Sequence, residues 1–525
     1  IMLYKNLFIN IMLYLMKTSL ISIPINFMLD WISCMFMSTV MMISSMILMF
    51  SMYYMPKKEY NQFSLLLLMF IISMGILIIS NNLIMIVLGW DMLGMSSYIL
   101  VIYYQNHSSS SSGSITLLTN RMGDIMILFS ISMMLHSILE FSMNEKFIML
   151  SMILLLIASC TKSAQFPFSA WLPMAMSAPT PISALVHSST LVTAGIFLMI
   201  RISSSFHPIT MLLLMSLSSM TALYSSMSAN WEQDMKKIIA LSTLSQMAMM
   251  MFSISISSLQ LAYFHMIIHA FFKSLMFLCA GVMIHESSLQ DMRLMKTNLI
   301  NIPLISSSLG ITNIALMGLP FSSGFFSKDL IIEMMISSKW NSLMSILMVL
   351  SLGMTASYSF RMMKFSSKMT NKSKFDSFNH SFAMCNIPIF LMSLFPIILG
   401  TMVSWMMFPK QAIIIPNKIK ITMLLMVFMG MILGKMLSFK SQMFNFTGKF
   451  SMSLWFIHTM SSSLMLLTSS SMDIYKNNDL NWQEMYGPNK VFYLLKNFSL
   501  LSEISKSSSM MFMIMILMIP MIAML

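Results

Sequence analysis

Long apolar stretches recur along the chain, at about 7–24, 30–54, 64–80, 82–103, 113–135, 147–175, 179–202, 209–228, 236–257, 259–284, 299–336, 341–363, 384–408, 419–440 and 507–525. They are continuous rather than alternating. That pattern predicts helices, because the strands of a membrane barrel alternate over segments of about 10 residues. A helix that spans a bilayer needs about 20 apolar residues, so the length allows roughly 15 spans joined by short loops. Polar loops are expected at Pro56–Asn61, Gln105–Gly113 and Arg361–Asn379. The stretch 451–471 is long enough to span but rich in Ser. Residues 472–506 mix Asp, Glu and Lys with Leu, Phe and Tyr and cannot cross a bilayer. They predict an amphipathic helix lying along the interface or along other membrane helices, followed by a last span at 507–525.

Composition agrees with this class. Of 525 residues, 57% are hydrophobic and only 9% are charged, against about 25% charged in a soluble chain. Lys and Arg number 30 and Asp and Glu 17, a net charge of +13. The basic residues are scattered between apolar blocks, which argues against nucleic acid as the partner. The basic run Arg361, Lys364, Lys368, Lys372 and Lys374 is expected to set topology beside lipid headgroups. Met makes up 73 residues and the chain opens on Ile1. Packing does not require so much Met. Codon bias with a non-standard start codon accounts for both and points to an animal mitochondrial genome. No cleavable targeting segment is expected ahead of the first span.

Several chemistries lack their residues. Cys34, Cys160, Cys279 and Cys385 form no C-x-x-C pair, so iron–sulfur, zinc-ribbon and disulfide frameworks have no ligands. No nucleotide-binding Gly motif is present. Gly430 and Gly434 have G-x-x-x-G spacing, which suits close helix packing.

The charges inside apolar runs are the candidate chemistry. An ionisable side chain deep in a membrane costs roughly 2.5–3.5 kcal/mol on insertion scales, and its default reading is functional. The alternative is snorkelling from a helix end. Asp91, flanked by apolar residues, is too short to snorkel. Arg121 and Asp124, three apart, have ion-pair spacing and suit either a structural pair or a transport role. Lys162 precedes Pro167, which should break the helix just after it. Broken helices line ion sites in transporters. His187 is surrounded by Ser188, Ser189, Thr190 and Thr193, a polar patch that suits a proton relay. His265, His269 and Lys273 at i, i+4 and i+8 form a seam roughly 12 Å tall. The spacing of the two histidines also suits a metalloprotease, but Met266 stands where that motif needs Glu. Lys328 and Asp329 follow Pro320 and Gly324, which again interrupt an apolar segment. The two interrupted segments, 147–175 and 299–336, occupy comparable places in successive five-segment blocks, as in internally repeated transporters.

The motifs Asn120-Arg-Met-Gly-Asp, Lys162-Ser-Ala-Gln-Phe-Pro-Phe-Ser-Ala-Trp-Leu-Pro, Pro179-Thr-Pro-Ile-Ser-Ala-Leu-Val-His, Asp234-Met-Lys-Lys-Ile-Ile-Ala-Leu-Ser-Thr-Leu-Ser-Gln, Phe264-His-Met-Ile-Ile-His-Ala-Phe-Phe-Lys-Ser-Leu and Gly324-Phe-Phe-Ser-Lys-Asp resemble the antiporter-like membrane subunits of respiratory complex I. The resemblance covers about 30–440. The segment 472–506 and its final span resemble a C-terminal extension that smaller sister subunits lack. The resemblance implies an all-α polytopic fold with two inverted five-helix repeats, two discontinuous helices and a lateral amphipathic helix. On that fold the chain divides into N-terminal transmembrane helices (1–63), a first repeat (64–202), a second repeat (203–365), C-terminal helices and loops (366–471), the lateral helix (472–506) and a final span (507–525).

The resemblance also implies roles. Asp91 and Lys162 would form the carboxylate–lysine pair of one half-channel, and Asp91 stands where many members have Glu. His187 would link that pair to a central chain of His265, His269 and Lys273, with Lys328 and Asp329 toward the exit. One span fewer is expected ahead of Leu29-Asp-Trp than in many relatives. The implied activity is proton translocation in the mitochondrial inner membrane, driven by electron transfer on partner subunits that hold NADH, FMN, iron–sulfur clusters and ubiquinone. This chain would bind no cofactor or metal. Its partners would be other complex I membrane subunits, especially a neighbouring antiporter-like one and those touched by the lateral helix, together with lipids. The alternative is a subunit of a multisubunit Na⁺/H⁺ antiporter.

Overall fold

Backbone N–H and C=O groups in hydrocarbon must be paired within the chain, which restricts a spanning segment to a helix or a strand of a closed barrel. The computed structural model describes residues 8–17, 22–139, 145–287, 289–293, 303–337, 342–366, 383–407, 417–437, 448 and 471–502. They belong to two units, Ile1–Trp455 and Phe456–Leu525. Ten described helices are long and apolar enough to cross a membrane.

The first unit begins with strands β1 (Ile9–Lys17) and β2 (Ser22–Leu29), paired antiparallel with Ile9 opposite Leu29. The segment 7–24 is therefore not a spanning helix. Pro24 lacks the N–H a helix requires, and Asn26 bonds sideways to Asn82 at 3.1 Å. Helices follow: α1 (Trp31–Tyr54), α2 (Tyr60–Ile79), α3 (Leu83–Val101), α4 (His107–Leu139) and α5 (Glu145–Lys162). The loop expected over Gln105–Gly113 is mostly the first two turns of α4. Its serines hydrogen-bond the carbonyls three residues back, as Ser110 does to His107 and Ser111 to Ser108, so hydroxyls need no water there.

Helix α5 ends at Lys162 as Pro167 predicts, and Ala164 turns the chain with φ 55°. Helix α6 (Thr180–Ile202) carries a π-helical stretch, Ser183–Thr190. Then come α7 (Pro208–Trp231), α8 (Met235–Ser255) and α9 (Leu259–Ser287). The apolar segment 299–336 is two helices, α10 (Pro303–Met317) and α11 (Ser323–Ser337), joined by a turn with Gly318 at φ 76° and Phe321 at φ 68°. The unit continues with α12 (Ser342–Ser366), α13 (Ala383–Met407) and α14 (Asn417–Leu437). Helices α6, α8 and α9 are buried along their whole apolar windows, whereas α14 is mostly exposed. The core thus centres on the helices that carry His187 and Lys273.

Two polar contacts brace one end of the bundle. The loop after α7 pairs with the segment after α9 through Met235 N–H to Gln290 O and Met292 N–H to Gln233 O, both 3.1 Å. There the guanidinium of Arg293, 2.6 Å away, holds the Asp291 carboxyl below the usual carboxylate range. Arg361, expected in a headgroup loop, is instead a buried residue of α12. Helix α12 runs past it to Ser366, and residues 367–379 of the expected loop lie outside the described residues. Its guanidinium donates to Ala229 O at 3.0 Å and to Glu232 O, at the C-terminal end of α7. Helix ends leave carbonyls unpaired, and this arginine satisfies two of them.

In the second unit the chain is helical over 471–486 and, after a turn at Gly487, over α15 at Pro488–Ser502. Within that unit Trp482 stacks on Tyr486 at 5.6 Å, and Lys490 Nζ lies 4.7 Å over the Tyr486 ring. The expected lateral helix is helical as far as described. Residues 451–470, 503–506 and the expected final span 507–525 lie outside the described residues.

Two substitutions test this packing. A Cβ on Gly430 would stand 2.1 Å from Gly353 O, and one on Gly434 2.3 Å from Ser357 O. The G-x-x-x-G pair thus seats α14 against α12. Gly430→Val should lower stability by about 1–3 kcal/mol, the usual cost of overpacking, read as a lower melting temperature of the purified assembly. Arg361→Gln leaves buried carbonyls unpaired and should cost about 1–3 kcal/mol in the same measurement.

Candidate functional site: a line of buried bases

The first cluster forms where α3, α4 and α5 meet. Because α5 breaks at Lys162, this side chain stays at membrane depth, fully buried. Its ammonium donates to Trp90 O at 2.7 Å and lies 4.5 Å over the Trp90 ring. The expected Asp91–Lys162 pair is not the contact made. Residues adjacent on a helix point about 100° apart, and with Trp90 turned to Lys162, Asp91 is turned to α4. There Arg121 lies 3.8 Å from Asp91 and 3.2 Å from Asp124. Arg121 is thus shared between two acids, one half-exposed and one buried. Asp91 Oδ1 and Asp124 Oδ1 make no hydrogen bond.

His187 lies in the π-helical stretch of α6, edge-on to Trp171 at 6.1 Å. π-Bulges often occur at functional sites. The hydroxyls expected to surround it are engaged elsewhere: Ser188 bonds Ala184 O, Thr190 bonds Leu185 O at 2.7 Å and Thr193 bonds Thr190 O at 2.7 Å. Both imidazole nitrogens are buried with no hydrogen bond.

Helix α9 carries the seam, and all three of its bases are fully buried. Lys273 donates to Ser242 Oγ on α8. The His265 and His269 rings stand 6.3 Å apart. His269 packs edge-on against Phe272 at 5.2 Å, and its nitrogens make no hydrogen bond. His265 is held from both sides, with Nε2 3.1 Å from Gln246 Oε1 and Nδ1 2.8 Å from Ser327 Oγ. Ser327 adjoins Lys328, whose ammonium donates to Leu316 O at the broken end of α10. Asp329 is half-buried and belongs to a separate charge cluster with Glu333 and Lys420, themselves paired at 3.1 Å.

The structure therefore joins His265 to the α11 arm through Ser327, and Lys273 to α8 through Ser242. Sequence reasoning missed Ser242, Gln246 and Ser327, which are neutral and look like any other polar residue in an apolar run. It also missed Lys236, buried and donating to Ala178 O at 3.0 Å. A lysine in the first turn of a largely apolar helix was the available signal. Among the described residues no group of three or more His, Cys, Asp or Glu could hold a metal.

Comparison with known proteins shows the family. Family models described as complex I chain 5 N-terminus, NADH:quinone oxidoreductase/Mrp antiporter and NADH dehydrogenase subunit 5 C-terminus match residues 15–64, 80–355 and 358–525. The NADH-ubiquinone oxidoreductase chain 5 of Anopheles gambiae is 42% identical over 513 residues, covering 93% of this chain and 88% of the relative.

The chain belongs to the NADH-ubiquinone oxidoreductase chain 5 family.

Chain 5 of Locusta migratoria is 41% identical, over 89% of this chain and 85% of its own, and that of Mytilus edulis 37%, over 93% and 89%. As a chain 5 member, this protein is a multi-pass membrane subunit of NADH:ubiquinone oxidoreductase. Two solved structures share the fold. One is the Mrp complex from Dietzia sp., with TM-score 0.71 and 21% identity, covering 94% of this chain; this chain spans 58% of that one. The other is an archaeal membrane-bound sulfane sulfur reductase, with TM-score 0.67 and 19% identity, covering 82% and 88%.

The cation shared between Asp91 and Asp124 is directly testable. Arg121→Gln should lower stability by up to about 1 kcal/mol, in keeping with a partly exposed pair. The measurement is the melting temperature of the purified assembly.

Proposed function

We propose that this chain translocates protons across the mitochondrial inner membrane, driven by electron transfer from NADH to ubiquinone on partner subunits that carry FMN and iron–sulfur clusters. The observation that carries the reading is the buried line Lys273, His269, His265 on α9, continued to Lys328 through Ser327. Four bases are held in a low-dielectric core, and among the described residues no carboxylate pairs with them. Such a site is costly to maintain for structure alone.

In this reading Asp91, Asp124 and Arg121 set the field around Lys162, and His187 passes protons on toward α9. The bases interact through space, since a positive charge on one disfavours charge on its neighbour. A proton arriving at Lys273 therefore favours release from Lys328 toward Asp329. The carbonyls of Trp90 and Leu316 are neutral acceptors, so each lysine can hold or lose its proton without breaking an ion pair. Neighbouring antiporter-like subunits would be the partners of this chain in the membrane.

The Mrp likeness of the central region supports the second reading, a subunit of a Na⁺/H⁺ antiporter. The chain 5 matches at both ends favour the first. An antiporter would move protons in response to Na⁺ without NADH.

Lys273→Ala decides whether the seam conducts. In the assembled complex, reconstituted into vesicles, it should remove this subunit's share of the protons moved per NADH while leaving assembly intact. An unchanged proton yield from fully assembled Lys273→Ala complex would overturn the proposal.

A further inference from the structure

The last turn of α5 carries Lys162, and both helices beside it approach through a glycine. On α4 this is Gly123. A Cβ there would overlap Thr161 Oγ1 and stand 3.5 Å from Ala158 O. On α6 it is Gly195, where a Cβ would stand 2.7 Å from Ser159 O and 3.2 Å from Ser163 N. The turn is therefore held from two sides by bare backbone, closer than a larger residue allows.

Thr161 is where these contacts meet. It is fully buried, as is Lys162 beside it. Its hydroxyl donates to Ala158 O at 2.7 Å, and a β-branched side chain in a helix is stiff about χ1, so it does not swing freely out of the way. Its carbonyl accepts from Trp171 Nε1 at 3.0 Å, and the Trp171 ring is the one that faces His187. The next residue on each helix carries charge. Lys162 follows Thr161, and Asp124 follows Gly123, with Arg121 3.2 Å from Asp124. Asp124 and Lys162 act on each other through space. Such an interaction falls with distance and is strongest where the dielectric is low, so the spacing of α4 from α5 controls it.

We infer that Gly123 is a positioning residue of the proton path: by admitting Thr161 against the α4 backbone, it sets the distance at which Asp124 and Arg121 act on Lys162. The inference rests on the proton-translocating reading and adds to it a residue that bears neither charge nor side chain.

The experiment compares Gly123→Ala, the double variant Gly123→Ala/Thr161→Ala, Gly430→Val and Lys273→Ala in the whole complex in vesicles. It scores protons moved per NADH by assembled complex, alongside melting temperature. Gly123→Ala should remove most of this subunit's share of the protons. Thr161→Ala takes away the atom that the new methyl meets and leaves a Cβ 3.4 Å from it, so the double variant should regain the yield. Gly430→Val opens α14 from α12, helices that carry none of the path's bases. It should lower the melting temperature and leave the yield of assembled complex unchanged, which separates positioning from packing. With Lys273→Ala inactive, any of three results would overturn the inference and leave the seam standing: full yield from assembled Gly123→Ala, no recovery in the double variant, or an equal loss in Gly430→Val. If Lys273→Ala pumps normally, it is the proton-translocating reading that fails. Should Gly123→Ala not assemble, Thr161→Ile widens the same contact from the α5 side and must lower the yield; an unchanged yield there also overturns the inference.

Discussion

A cation buried away from water needs lone pairs, and in this chain backbone carbonyls supply most of them. Lys162 rests on Trp90 O, Lys236 on Ala178 O, Lys328 on Leu316 O, and Arg361 on Ala229 O and Glu232 O. Most of these carbonyls lie where a helix ends or has not yet begun, which is where backbone acceptors are left unpaired. The broken helices are therefore more than interruptions. They create the acceptors that let a chain of net charge +13 keep positive charge inside hydrocarbon.

Neutral acceptors also suit the chemistry. A lysine locked to a carboxylate at close range gives up its proton only by breaking a strong pair, and losing one partner of a buried pair is costly. A lysine on a carbonyl keeps a hydrogen-bond partner in its charged state and leaves no orphaned anion in its neutral one. The acids of the first cluster are instead grouped around Arg121, to one side of Lys162.

Much of this was legible in the residues. Continuous apolar runs identified the spanning helices because span length and continuity are properties of a single segment. Pro167 and Pro320 marked the breaks because each acts on its own backbone, whereas Gly324, also expected to interrupt, lies inside α11. The i, i+4, i+8 spacing placed His265, His269 and Lys273 on one seam, since helical phase is local. The misreadings have a common cause as well. Segment 7–24 is apolar enough for a span, but its partner is the neighbouring strand. Ser110, Ser111 and Ser112 look like loop until their hydroxyls are seen bonding the helix's own carbonyls. Arg361 looks like a headgroup residue until α7 is seen to end against it.

The sequence by itself determined what each segment could be: which runs live in lipid, where helices break, and which titratable groups are carried deep into the bundle. Those follow from solvation and from local backbone chemistry, which need no partner. Only the tertiary structure decided whom each group meets. Whether Lys162 faces an acid or a carbonyl depends on the rotation of α3 by a single residue, and the partners of His265 are Gln246 from α8 and Ser327 from α11. Hydrogen bonds between helices are set by packing to a fraction of an ångström, and spacing along one helix carries no record of the phase of the next.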